Sequence, residues 1–69
     1  MKIVAQSKDT YDVYELELNN KEIRGKLYNP KMVVLLGSYE TFIRACDVYS
    51  EIVCISWNKE ANLYVMPEA

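Results

Sequence analysis

The chain contains no histidine among its 69 residues, and that absence removes a large part of enzyme chemistry. No imidazole is present to activate a serine or cysteine nucleophile, or to complete a mixed histidine–cysteine zinc site. The two cysteines, Cys46 and Cys54, cannot close a structural zinc site by themselves. The two glycines, Gly25 and Gly37, stand alone, so no glycine-rich loop exists to cradle a phosphate. No apolar run approaches the roughly 18 residues that a membrane-spanning helix needs. Residues 1–6 are too few and turn polar too soon for a signal peptide. An excess of positive charge is also missing: 8 basic against 10 acidic side chains give a net charge of −2. A protein held on nucleic acid by charge alone usually carries a basic footprint. These absences imply a non-enzymatic, soluble, cytoplasmic protein without cofactor, metal or membrane, in which both cysteines are reduced core thiols.

What is present is apolar. Hydrophobic residues make up 51% of a chain long enough for one small domain only. A core of that size leaves a thin margin of stability, and a subunit interface is the expected supplement.

The stretch from Tyr11 to Leu36 carries the clearest pattern. A turn at Asn20-Lys21 sets Leu18 against Ile23, Leu16 against Gly25 and Tyr14 against Leu27, so one side of a two-stranded ribbon is apolar. On the other side Glu17 meets Arg24 and Glu15 meets Lys26, opposite-charge pairs that stabilise a ladder by a few tenths of a kcal/mol each. Asparagine tolerates the positive φ that such a turn demands. Tyr28-Asn29-Pro30-Lys31 is a second turn. The all-apolar run Met32-Val33-Val34-Leu35-Leu36 then reads as a strand covered on both faces, or bent so that both faces meet the same core.

The flanks complete the architecture. Ile3-Val4-Ala5 reads as a short edge strand, and Ser7-Lys8-Asp9-Thr10 as a turn. Beyond Gly37 two readings compete. Ser38 as a cap, Glu40 with Arg44, and Phe42, Cys46, Tyr49 and Val53 at helical spacing point to a helix over about 38–50. The β-branched and aromatic residues of the same segment point to strands over 39–46 and 50–57, the preferred reading. A hairpin there would place Cys46 opposite Cys54. A turn over 57–62 and a last strand, Leu63-Tyr64-Val65-Met66, stopped by Pro67, complete a mainly β fold. The expectation is a small antiparallel barrel of five or six strands, Sm-like or SH3-like; the alternative is an α+β fold with one helix at about 38–50.

Val13–Leu18, Arg24-Gly25-Lys26-Leu27 and Asn29–Leu36 together resemble the first motif of the Sm-like family, including its Hfq-like bacterial branch, and Ile43-Arg44-Ala45 is similar to its second. The resemblance covers about half the chain. It implies a five-stranded barrel assembling into RNA-binding rings. The departures fall on the binding positions: Lys31 stands where the family stacks an aromatic ring, Val33 where an asparagine reads the base, and Ala45 where a glycine is usual. The bacterial motif's histidine and the usual N-terminal helix are missing too. Stacking contributes about 1–3 kcal/mol per base, so the resemblance supports the fold more than the function.

Two sets of residues remain as candidate contacts. Lys21, Arg24, Lys26 and Lys31, with Arg44, would carry phosphate contacts, although Glu15, Glu17 and Glu22 share that face and make a solvated charged face the simpler reading. The same carboxylates read as ion-pair partners rather than as a catalytic pair. Six tyrosines, one tryptophan and one phenylalanine exceed what so small a core encloses. Tyr28, Tyr49 and Trp57 are the candidates for a protein interface, where such side chains bury large areas at low entropic cost. The expected function is a self-associating protein-interaction module that regulates or inhibits a partner; the alternative is an Sm-like oligomeric ring binding RNA.

Overall fold

The computed structural model describes residues 1–56 and 63–68. Its elements run β1 (Lys2–Val4), β2 (Thr10–Asp12), β3 (Glu15–Asn19), β4 (Glu22–Leu27), β5 (Met32–Ser38), α1 (Phe42–Ser56) and β6 (Leu63–Val65). The described residues are mainly β with one helix. The described strands form two three-stranded sheets, β2-β1-β6 and β3-β4-β5, and not one closed barrel.

The hairpin forms in the register that its charges and apolar residues dictate. Leu16 lies opposite Gly25, Leu18 opposite Ile23, Glu15 opposite Lys26 and Glu17 opposite Arg24. Asn20 takes the positive φ, 56°, at the turn. Tyr14, however, does not reach Leu27. Its amide donates to the Lys26 carbonyl at 3.0 Å, ahead of the first ladder pair, and the ring is half exposed. The cause is a change of sheet: β2 belongs to the first sheet and β3 to the second, with buried Val13 filling the corner between them. Gly25 makes that corner possible. A Cβ on it would lie 2.8 Å from a Val13 methyl and 3.0 Å from a Leu36 methyl, closer than carbon atoms pack.

Strand β1 is central rather than an edge, pairing antiparallel with β2 and parallel with β6, because Ile3 must be covered by Tyr11 and Tyr64 in adjacent strands. Strand β6, Leu63–Val65, falls within the expected last strand Leu63–Met66.

The segment after Gly37 overturns the preferred reading of strands at 39–46 and 50–57, since residues 42–56 form α1. Thr41 rather than Ser38 caps it, its hydroxyl accepting from the Arg44 amide at 3.1 Å. β-Branched residues cost a helix a few tenths of a kcal/mol each. Burying Val48 and Ile52 contributes about 1.5–3 kcal/mol apiece, and with Ala45 these line one face at intervals of three and four residues. Burial wins. The helix lies against β3 and β4. Ile3, Ile23, Leu36, Val48 and Ile52 are the largest fully enclosed side chains. Cys46 and Cys54 are free, but they are not the expected core thiols: Cys46 is half-buried and Cys54 exposed, because Ala45, Val48 and Ile52 take the inner face of the helix. Eight residues apart on one helix, the two cysteines are separated by about 12 Å along its axis, beyond disulfide reach.

Gln6 ties the two sheets together. Its amide donates to the Leu36 carbonyl at 2.8 Å, and its side-chain oxygen accepts from the Ser38 amide at 2.8 Å. Its Nε2 reaches the carbonyl of Pro67 at 2.9 Å.

Candidate interaction surface

Strand β5 is where the structure departs most usefully from expectation. The run Met32–Leu36 is not covered on both faces. Val34 and Leu36 point into the core, whereas Val33 and Leu35 remain 50% and 49% exposed on the outer face of the sheet. Met32 is 46% exposed at the start of the strand.

The strand is also open at its side. It pairs with β4 alone among the described strands. Lys26 turns its carbonyl toward β3, since it accepts there from Tyr14. Alternation along an antiparallel ladder therefore aims the backbone groups of Gly25 and Leu27 at β5, where Val34 and Met32 face them. The backbone groups of Val33 and Leu35 consequently point off the edge. Beyond the irregularity near Ile23 and Arg24, the far end of β5 is closed by Gln6, which takes the Leu36 carbonyl and the Ser38 amide. The open stretch is thus Met32–Leu35. Among the described residues it has no charged side chain, proline or covering segment, the devices that usually protect an edge.

Two tyrosines flank this stretch. The Tyr14 and Tyr28 rings lie 4.2 Å apart between centroids, tilted by 35°. Tyr28 is 77% exposed, in the turn before β5. A shallow groove of about 400 Å³ runs from Tyr14 past Lys26 and Lys31 to Met32 and Val33. The interface candidate Tyr28 therefore lies beside the open edge. Tyr49 does not: it is half-buried, packs against the core, and lines a separate cleft with Ile3, Val13 and Val53. Trp57 lies outside the described residues.

The basic candidates are dispersed. Lys26 forms an ion pair with Glu15 at 3.1 Å, and that hydrogen bond holds its ammonium above the usual lysine value. Arg24 stands opposite Glu17, yet its guanidinium turns along its own strand to Glu22 at 2.7 Å. Lys31 is exposed beside Met32, while Lys21 sits in the hairpin turn at the other end of β4, about 20 Å away for a strand of that length. Arg44 is on α1, 6.0 Å from the centre of the Tyr39 ring. Lys26 and Lys31 line one groove together, and Arg44 lines another.

The sequence shows Met32, Val33 and Leu35 as part of an unbroken apolar run and gives no sign of which face is open. The alternation that would reveal an outer face is invisible when every position is apolar. Among the described residues, no three carboxylate or thiol side chains converge as metal ligands would, and no helix is long and apolar enough to cross a membrane. Comparison with protein-family models finds no match, and comparison with curated proteins and with solved structures finds no significant one.

Proposed function

We propose that the protein is a non-enzymatic protein-interaction module that receives an extended segment of another polypeptide along β5, and that it regulates or inhibits the partner whose strand it occupies. The observation that carries this reading is the unprotected, uncharged edge at Met32–Leu35, whose Val33 and Leu35 side chains stand half exposed beside Tyr28. Adding a strand satisfies the open main-chain groups, and alternate side chains supply the apolar contacts. Tyr14 and Tyr28 add aromatic area at the rim of the same patch.

An Sm-like ring that binds RNA is the competing proposal. It is favoured by one arrangement, the groove in which Lys26 and Lys31 stand beside Tyr14 and its stacked partner Tyr28. Basic and aromatic side chains together are the ingredients of single-strand binding. The ion pair between Lys26 and Glu15 weakens it by placing a carboxylate among the phosphate contacts.

A photo-reactive amino acid placed at Leu35, and separately at Glu17 on the same sheet face, distinguishes the two. Protein adducts from position 35, with few from position 17, are expected. Equal yields from both positions, or adducts to RNA that are lost at raised salt, would contradict the interaction-module reading.

A further inference from the structure

The open edge is matched to itself. From Met32 to Leu36 the strand is aliphatic at every position, so it presents the same character when read from either end. Its middle residue, Val34, lies inside the open stretch between the turn at Lys31 and the Gln6 tie at Leu36. On the reading that β5 receives a strand, we infer that its occupant is a second copy of this chain, paired antiparallel about a two-fold axis at Val34. Val33 of each copy then lies opposite Leu35 of the other, and the two sheets join into one of six strands.

Geometry and charge both favour this register. In an antiparallel ladder, residues whose backbone groups face one another exchange two hydrogen bonds. Val33 and Leu35 have their groups directed off the edge, so both pairs made by this axis are of that kind. An axis through Leu35 would set Val33 against Gly37, beside the Gln6 tie. Beyond Met32 the chain turns back toward β4 and so leaves the second copy's path.

No charged side chain lies on the edge itself. Lys31 sits in the turn at the end of the paired stretch, and Arg24 and Lys26 stand on β4. Across the axis Arg24 of one copy faces Lys26 of the other at about 14 Å, three strand spacings. That exceeds the screening length of about 8 Å at physiological salt. The glutamates Glu22 and Glu15 neutralise them locally. A charged extended peptide would gain no matching charge within Met32–Leu35, whereas the same stretch of a second copy brings none. A ladder this short buries less than the roughly 1,200–2,000 Å² of a stable interface. The dimer is therefore weak and symmetric, and its formation depends on concentration.

Cysteine pairing reads the register directly. In a Cys46→Ala, Cys54→Ser background, Val33→Cys and Leu35→Cys proteins are prepared separately, then mixed under mild oxidation at near-millimolar concentration. Opposed positions lie about 5.5 Å apart between Cα atoms, within disulfide reach, whereas the two Val33 positions are diagonal neighbours at about 7–8 Å. The mixture is expected to form the mixed disulfide at least tenfold faster than either protein alone forms its own. Faster homotypic coupling, or no coupling above the rate of a Glu17→Cys control, would overturn the inference.

Should the cysteine-free background fail to fold, sedimentation of the wild-type chain decides instead. A mass rising toward the dimer with concentration, and abolished by Val33→Lys, supports self-pairing; a monomer throughout, or a dimer that Val33→Lys leaves intact, overturns it. A monomer whose position 35 still photo-couples to a different protein would sink self-pairing alone. A monomer with no position-specific coupling would sink the edge reading as well.

Discussion

Gly25 shows how much a single side chain decides. It reads in the sequence as the small partner of Leu16, and it is that. Its second task, admitting the Val13 and Leu36 methyl groups, belongs to residues eleven or more positions away and has no local signature. Gly25→Ala is expected to destabilise the protein by about 1–3 kcal/mol through overpacking, measurable as a lower urea midpoint with an unchanged slope. Gln6→Ala removes the ties to Ser38 and Pro67 and leaves the Ser38 amide without its side-chain partner. A loss of about 1–3 kcal/mol follows from that unmet donor, and the same unfolding curve checks it. Tyr64 supplies a pH test. Its ring is buried and its hydroxyl donates to Glu51 at 2.8 Å; burial first, then that carboxylate, raise the phenol above its ordinary value of 10.0. Above that pH the unfolded chain releases the proton while the folded chain keeps it, so stability falls as pH rises. Tyr64→Phe should flatten this part of the decline in urea unfolding between pH 9 and pH 11; an unchanged slope would show that Tyr64 does not cause it.

At the scale of elements, legibility followed whether the physics was local. The β3–β4 hairpin was readable because charge pairs, apolar alternation and turn chemistry all lie within a dozen residues and agree on one register. Helix α1 was not, because Ile43, Val48, Ile52 and Val53 carry local preferences for a strand. What overrides them is the burial of Ala45, Val48 and Ile52, on a helix lying against β3 and β4. Ile52→Ala should therefore cost about 2–5 kcal/mol, and Thr41→Ala, which removes only the cap, about 1 kcal/mol. Thermal unfolding followed by far-ultraviolet circular dichroism separates the two. Equal losses would contradict the assignment of helix stability to packing. Strand β5 was legible as a strand but not as an edge. The candidate site shares that fate: counting aromatics singles out Tyr28, which is exposed beside the edge, while Val33 and Leu35 are hidden in a run where inside and outside look alike.

At the scale of the molecule, the described residues form two small sheets and one helix around a core and leave one side of β5 without a paired strand. The proposed partner strand would add the buried surface that so short a chain is expected to need. Double substitution Val33→Glu/Leu35→Glu, at half-exposed positions opposite Lys26 and Arg24, should leave the unfolding free energy within about 0.5 kcal/mol of wild type while weakening association at least tenfold. The most direct measurement is amide hydrogen exchange along β5, first in dilute protein and then with rising concentration or an added partner. Val34, bonded to β4, is expected to exchange slowly throughout; Val33 and Leu35 should exchange fast when dilute and slow together as the edge is taken up. If Val33 and Leu35 are as protected as Val34 in the dilute monomer, or stay fast while complexes form, β5 is not the docking strand.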